Sequence, residues 1–572
     1  MTATAAAGQP DVGAEAPARA RRLRPAPIHR VRDLPPTSRL AVQAALVGLA
    51  LVPLLSAAIV LLQGWRPTGD NALIGLRVHD VLSGHPPLIG QPTTGENFGS
   101  GIETSHPGPI EFYLVAPFVL VLGPAVGLAL GAAAINAGAL VAIGWLAHRR
   151  GGTSLLAVGS LGALAMAHSL GGNLLHDPVS SNVGSFVALA LLYASWSVIA
   201  GDLRVAPLFV ALASFSLQDH LTYLGTGTPV VVAALAAGVW WARRIASRGG
   251  SGWLRRSIAS SVVVGLVLWL PVLLDELVGS ANVNAIFRTF TGKRTPGEGA
   301  AFAAGRVAEA LAPVPIFARR VAPLGYLHTP ALHEWLLGIA VLAWIVVAGV
   351  LFARRADVAR AAMALVSVLA LVAGGYSAVK LPVGAGIQGS NLRWMWTASA
   401  FGWTTAAWTV WPLLPAFWRR VVRGPAAVVL GLALLASVVS VVGSVELATD
   451  RDGASMEGTD ALVREVEAKL PKGTYRVTYE GGSAVVSVGP ALVHDLELRG
   501  DAVFMDVGPF TRAYADHREF DGQRVDGTIV ISSEARASYP EGTRLLVRQE
   551  LQVNREEAAI NTIRVYYVEG QP

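Results

Sequence analysis

The sequence predicts an α-helical polytopic membrane protein of about eleven transmembrane helices, followed by an extracytoplasmic α/β domain. Three observations predict it. The 572 residues are 53% hydrophobic and only 15% charged, where a soluble domain carries about 25% charged residues. Arginines cluster at the ends of alternate apolar blocks, which is how a membrane protein marks one face. After residue 446 the composition changes, and charge rises together with short alternating runs.

Residues 1–39 are rich in Ala, Pro and Arg without periodicity, and are read as a disordered cytoplasmic tail. The basic part is too long for a signal peptide, and no small-residue cleavage motif follows the first span. The membrane part covers 40–445. Spans are expected near 40–63, 124–147, 153–170, 183–200, 205–218, 226–242, 257–274, 335–353, 361–377, 394–413 and 425–445. His148-Arg149-Arg150, Arg204, the arginines of 243–256, Arg354-Arg355 and Arg419-Arg420 then all fall on one face, taken as cytoplasmic. The opposite face carries large loops at 64–123 and 275–334, and an odd number of spans puts 446–572 beside them. There, 458–470 reads as a helix, and Tyr475–Tyr479, Ala484–Val488, Ala502–Val507, Thr528–Ser532, Arg544–Val547 and Thr562–Val568 read as strands. This places the chain in the plasma membrane.

The charge of +6 and the pI near 9.7 come mainly from arginines that set topology, so nucleic acid is not an expected partner; membrane lipids are. The absence of cysteine excludes disulfides, thiolate metal sites and a cysteine nucleophile. No Walker A loop, G-x-G-x-x-G fingerprint, H-E-x-x-H or G-x-S-x-G elbow stands in a suitable context.

The first loop spends roughly fifty residues, Trp65 to Tyr113, where about ten would turn the chain. Long ordered loops are usually functional. Asp70 stands in Thr-Gly-Asp-Asn just after the first span, where a carboxylate can accept a proton from a hydroxyl; the same residue can cap the helix that follows. Asp80 lies on an amphipathic, interfacial stretch with Ala72, Leu73, Leu76, Val81 and Leu82, and a solvated helix face explains it as well as substrate contact does. His85-Pro86-Pro87 and His106-Pro107-Gly108-Pro109 present imidazoles on stiff turns. Asp219-His220 and His176-Asp177 are further acidic–imidazole pairs on this face; adjacent residues do not have the spacing of a metal site. Arg288, Lys293, Arg294, Arg306, Arg319 and Arg320 in the 275–334 loop fit phosphate binding. Arg393 opens a span beside Trp394 and Trp396, which are read as interface anchors.

An Arg-rich amino terminus, one span, a loop opening on Gly69-Asp70-Asn71, the two His-Pro elements and many further spans together resemble the GT-C superfamily of membrane glycosyltransferases. The nearest likeness is to protein O-mannosyltransferase-like enzymes and to the arabinofuranosyltransferases of actinobacterial cell-envelope assembly, over about 40–445. The resemblance implies an inverting enzyme. Its donor is a polyprenyl-phosphate sugar, arabinofuranose or mannose. Its acceptor is a hydroxyl of a cell-envelope glycan, glycolipid or protein at the outer face. Asp70 would be the general base. Asp80, His85, His106, Asp219, His220 and Arg393 would be substrate contacts, with Arg393, Lys293 and Arg294 on the donor phosphate. Many members carry two adjacent acidic residues in this loop, whereas Asp70 is followed by Asn71; a divalent cation is therefore left open and no metal ligand is assigned. The competing class is a non-catalytic lipid or glycan transporter, or an assembly protein of the cell envelope. Transporters commonly show internal repeats and mid-membrane polar groups; no two-half symmetry is visible here.

Overall fold

The computed structural model describes residues 26–93, 101–249, 252–292, 295–312, 329–383, 389–415, scattered positions of 431–445, and, in the carboxyl-terminal part, 456–481, 484–506, 511–534, 542–552 and 560–570. Among these, seven helices are long and apolar enough to cross a membrane. They are α1 (Pro36–Leu62), α4 (Pro124–Leu170), α5 (Ser180–Ile199), α7 (Leu221–Ala246), α8 (Gly252–Val278), α11 (Leu332–Arg354) and α12 (Val358–Val379). Between them lie the shorter α2 (Gly69–Asp80), α3 (Ile110–Leu122), α6 (Ala206–Asp219), α9 (Asn282–Thr291) and α10 (Gly299–Ala310), with α13 (Trp394–Val410) after α12.

The count of eleven spans is therefore not confirmed, for reasons that differ by segment. The predicted pair 124–147 and 153–170 is one 47-residue helical run, α4, interrupted at Gly152 (φ 67°, ψ −161°). A Cβ placed on Gly159 would lie 3.3 Å from the Cβ of Ala147, although a straight helix would separate these residues by about 18 Å. The run therefore folds back at Gly152, whose left-handed φ favours glycine. Predicted span 205–218 is α6, only 14 residues, or about 21 Å against the roughly 30 Å of a hydrocarbon core. Predicted span 394–413 is α13, 17 residues, and 425–445 lies largely outside the described residues. Trp394 and Trp396 are not interface anchors. Both are buried, and the Trp396 indole N–H donates to Ser169 Oγ at 3.0 Å.

The membrane part is held by one large apolar core running through α4, α5, α6, α7, α12 and α13. Buried charges at the α4 turn are paired: Arg149 grips Asp202 at 2.6 and 3.2 Å, and Arg150 donates to the carbonyl of Ala200 at 2.9 Å. The described end of the amino-terminal segment is part of this corner, with the Ala26 and His29 N–H groups on the carbonyls of Ala200 and Arg149. By contrast α8 buries almost none of its apolar surface, as expected of a helix bathed in lipid.

The carboxyl-terminal part is a five-stranded mixed sheet with two long helices and a single helical turn at Thr511–Tyr514. In order come α14 (Met456–Lys469), β1 (Thr474–Glu480), α15 (Ala484–Arg499), β2 (Ala502–Met505), β3 (Gly527–Ser532), β4 (Thr543–Gln552) and β5 (Ile560–Glu569). The spatial order is β2-β1-β3-β5-β4, with β1 parallel to β2 and β3, and β5 antiparallel to β3 and β4. Residues 484–488 belong to α15 and not to a strand. Val488, Leu492 and Leu496 recur every fourth residue and are all fully buried, so helical periodicity outweighs the local β-branched composition.

Helix α2 is also placed differently from expectation. It does not lie on a membrane surface. Leu73 and Leu76 enter the core of the sheet domain, while Ile74 and Val78 enter a second core with Phe112, Val115 and Leu128 of α3 and α4. The helix is apolar on two opposed faces because it is sandwiched between the membrane part and the sheet domain.

Candidate functional site

The polar residues of the first loop divide into two groups. The first surrounds α2. Asp70 is exposed in its first turn, the position at which a carboxylate also complements the helix dipole. Asp80, at the other end, is buried to 1% exposure. Arg77 donates to it at 3.1 Å and Arg518 of the sheet domain at 2.8 and 2.9 Å. Burial raises the carboxyl pKa, but bonds from His517 and Arg518 outweigh it and hold Asp80 down at about 2. Both oxygens are taken up by donors of the protein, so Asp80 stands in a buried ion pair and not on a solvated helix face. His85 is exposed and stacks on His517 with centroids 4.3 Å apart, so its ring also faces the sheet domain.

The second group gathers where the loop re-enters the helical bundle. The His106-Pro107-Gly108-Pro109 turn docks on the end of α6: the Gly108 N–H donates to the carbonyl of Gln218 at 3.1 Å. A Cβ on Gly108 would stand 2.3 Å from Gln218 Oε1 and 2.7 Å from Val272, so any larger residue would have to push these side chains aside. Asn282, at the start of α9, clamps the same turn. It accepts from the Ser105 N–H at 2.8 Å and donates to the carbonyls of Ser105 and His106.

This docking brings His106 against His220, ring centroids 4.4 Å apart. Nδ1 of His106 accepts from the Leu221 N–H at 3.4 Å, and Nδ1 of His220 from the Thr222 N–H at 3.2 Å. Both rings are thus fixed as neutral tautomers with the proton on Nε2. Burial pushes His106 well below the usual imidazole range, helped by its neighbour His220; burial together with the Arg393 charge takes His220 to about 3.

Behind the imidazoles stand two buried carboxyl groups, Glu111 of α3 and Asp219 of α6, 4% and 2% exposed, which interact with each other. No donor among the described residues reaches Glu111 Oε1 or either oxygen of Asp219. One proton held between them would join a Glu111 oxygen to one oxygen of Asp219 and leave acceptor capacity over, since a protonated carboxyl group becomes a donor. Arg393, 4% exposed, completes the group. Its Nη2 donates to Asn182 Oδ1 at 3.1 Å, and Asn182 in turn donates to Asp177 at 2.6 Å. Tyr223 donates to the carbonyl of Ser181 at 2.6 Å and locks the neighbouring turn.

His106, Asp219, His220 and Arg393 are therefore brought together, whereas Asp80 and His85 belong to the sheet-domain contact. Lys293 and Arg294 lie outside the described residues. Arg306 forms a buried ion pair with Glu309 at 2.7 Å and is spoken for. On the same face the Trp65 ring meets His176 edge-on at 6.3 Å, and Asp177 reaches Arg393 through Asn182. Glu111, Asn182 and Asn282 were not singled out in the sequence. Glu111 was the most findable of them, being a lone acid just inside an apolar helix. Among the described residues, no group of three or more His, Cys, Asp or Glu side chains could hold a metal ion.

No protein-family model matches the chain, and no curated protein matches it. Among solved structures it is similar to the archaeal oligosaccharyltransferase AglB from Archaeoglobus fulgidus in complex with an inhibitory peptide and a dolichol-phosphate. That match has a TM-score of 0.41 and 13% identity, covering 85% of this chain and 69% of that one. The apo form of the Archaeoglobus fulgidus oligosaccharyltransferase gives 0.39 at 13% identity over 85% and 69%. Its complex with Zn and sulfate gives 0.37 at 13% identity over 85% and 67%. Scores of this size are too low to establish a shared fold.

Proposed function

We propose that this chain is a membrane glycosyltransferase of the GT-C type. It moves a sugar, arabinofuranose or mannose, from a polyprenyl-phosphate donor to a hydroxyl of a cell-envelope glycan, glycolipid or protein. The reaction takes place at the outer face of the plasma membrane, with the amino terminus cytoplasmic and the sheet domain outside. The observation that carries this reading is the buried polar group at the loop end of the bundle. There a cation, two Nε2–H donors and two buried carboxyl groups, with no described donor on Oε1 of Glu111 or either oxygen of Asp219, converge.

A polyprenyl phosphate is already a good leaving group, so the chemistry needs a base, orientation and stabilisation of the departing phosphate, not a covalent nucleophile. Asp70 is the base, exposed where an acceptor hydroxyl can approach. It takes the proton as that oxygen attacks the anomeric carbon, while the bond to the phosphate breaks and its electron pair leaves with the lipid phosphate. Arg393 supplies positive charge to that phosphate, and the neutral His106 and His220 supply Nε2–H hydrogen bonds without adding charge. Glu111 and Asp219 hold sugar hydroxyls, for which a shared proton gives both donor and acceptor.

The test is transfer from a panel of radiolabelled polyprenyl-phosphate sugars by purified protein in lipid, wild type beside Asp70→Asn. Sugar-specific transfer that disappears in the variant supports the reading. Equal transfer by both proteins removes the base assignment, and no transfer from any donor despite polyprenyl-lipid binding favours the carrier or scaffold alternative.

A further inference from the structure

Arg518 makes an unusually complete set of bonds. Its Nε donates to Glu497 at 2.5 Å, Nη1 to Asp80 at 2.9 Å and to the Tyr514 carbonyl at 2.6 Å, and Nη2 to Asp80 at 2.8 Å and to Glu497 at 2.7 Å. A guanidinium has five N–H groups, and every one of these is used. Two acceptors belong to the sheet domain and the third is the carboxyl end of α2. Burying such a group adds less stability than apolar packing would, but it fixes registry: turning α2 by one residue, about 100°, would pull Asp80 away from Arg518.

Other contacts hold the same helix and its flanks. Gly75 passes so close to the sheet domain that a Cβ there would stand 2.7 Å from His494 Nε2. Before the helix, Arg66 pairs with Asp460 at 3.2 Å and its N–H meets Met456 Sδ. After it, Glu103 pairs with Arg512 at 2.7 Å. Asp70 and Asp80 are ten residues apart on one short helix, about 15 Å, so fixing one end orients the other.

We propose that the sheet domain is the positioning element for α2, with Arg518 as the positioning residue that sets where Asp70 points. The catalytic consequence rests on the function proposed above; the mechanical coupling does not.

The test uses the full chain in lipid nanodiscs, with Arg518→Gln, Arg518→Lys and, as control, Arg499→Gln. Arg499 makes a comparable pair with Asp501 at 2.6 Å inside the sheet domain and does not touch α2. Hydrogen exchange of the 69–80 amides reports the helix directly. Arg518→Gln is expected to speed that exchange about tenfold or more, and to lower kcat by about 10- to 100-fold with KM for the lipid-linked sugar unchanged. Arg518→Lys should fall between, since an ammonium has three N–H donors where the guanidinium uses five in a fixed fork. Arg499→Gln should leave 69–80 exchange and kcat as in the wild type. Unchanged 69–80 exchange in Arg518→Gln, or an equal rise in Arg499→Gln, would overturn the proposal. Turnover that survives Asp70→Asn would sink the base assignment alone, with the exchange result still deciding the coupling.

Discussion

Asp80 and Glu111 are carboxyl groups buried on short helices that flank the first loop, and their surroundings treat them in opposite ways. Asp80 meets two arginines and a histidine, and each oxygen has a donor. Glu111 faces Asp219, and no described donor reaches Oε1 of the first or either oxygen of the second. The Asp80 arrangement is complete without any ligand, as a structural ion pair must be. The Glu111 arrangement leaves hydrogen-bonding capacity unused in a buried place, which natural structures tolerate mainly where something else binds. Two carboxyl groups that look alike in the sequence are thereby separated, one joining domains and the other falling within the proposed site.

The comparison can be broken by mutation. The largest expected effect is on Asp70→Asn, which should lower kcat for sugar transfer by about 10²- to 10⁴-fold. Arg393→Gln should follow, with a loss of about 10²-fold and weaker binding of the lipid phosphate, read by titration with a polyprenyl phosphate. Asp80→Ala should destabilise the protein by about 3–5 kcal/mol, since it leaves two buried guanidinium groups facing one lost partner. Denaturation in lipid measures it. Glu111→Gln should differ by within about 1 kcal/mol, because a carboxamide N–H can donate to Asp219 where the shared proton did. Equal losses for Asp80→Ala and Glu111→Gln would erase the distinction.

Acid should sharpen it further. His220 is depressed to about 3 in the folded protein, so the unfolded chain binds the extra proton first. The stability it contributes is present above about pH 6.5 and declines as pH falls from there towards 3. Asp80, held at about 2, contributes stability above about pH 4 that is lost as pH falls through 2. Denaturation profiles of His220→Gln should therefore flatten between pH 6 and about 4, and those of Asp80→Asn only below that window.

Much of the membrane part was legible because hydrophobic length and arginine bias are local signals. The predicted spans near 40–63, 183–200, 226–242, 257–274, 335–353 and 361–377 each overlap one long helix. Helices α6 and α13 are shorter than a typical span, and both are largely buried by protein. The strand expected at 484–488 failed because the apolar repeat that makes α15 only becomes visible over its whole length. In the site, the His106 turn, Asp219, His220 and Arg393 were visible as polar residues at one end of apolar blocks. What sequence could not reveal was pairing. Asp80 and Arg518 are brought together only by the fold, and no local pattern distinguishes a carboxylate that will find a guanidinium from one that will not.

The clamp on α2 also has a consequence in time. Arg518 is separated from Asp80 by 438 positions in the chain. At about 5–20 residues added per second, α2 leaves the ribosome roughly 20 to 90 seconds before its partner is made. During that interval Leu73 and Leu76 have no sheet domain to bury them and Asp80 has only Arg77 beside it. The nascent membrane part must wait, half assembled, for its last hundred residues, and a chain released early would carry an unclamped helix with its apolar face bare.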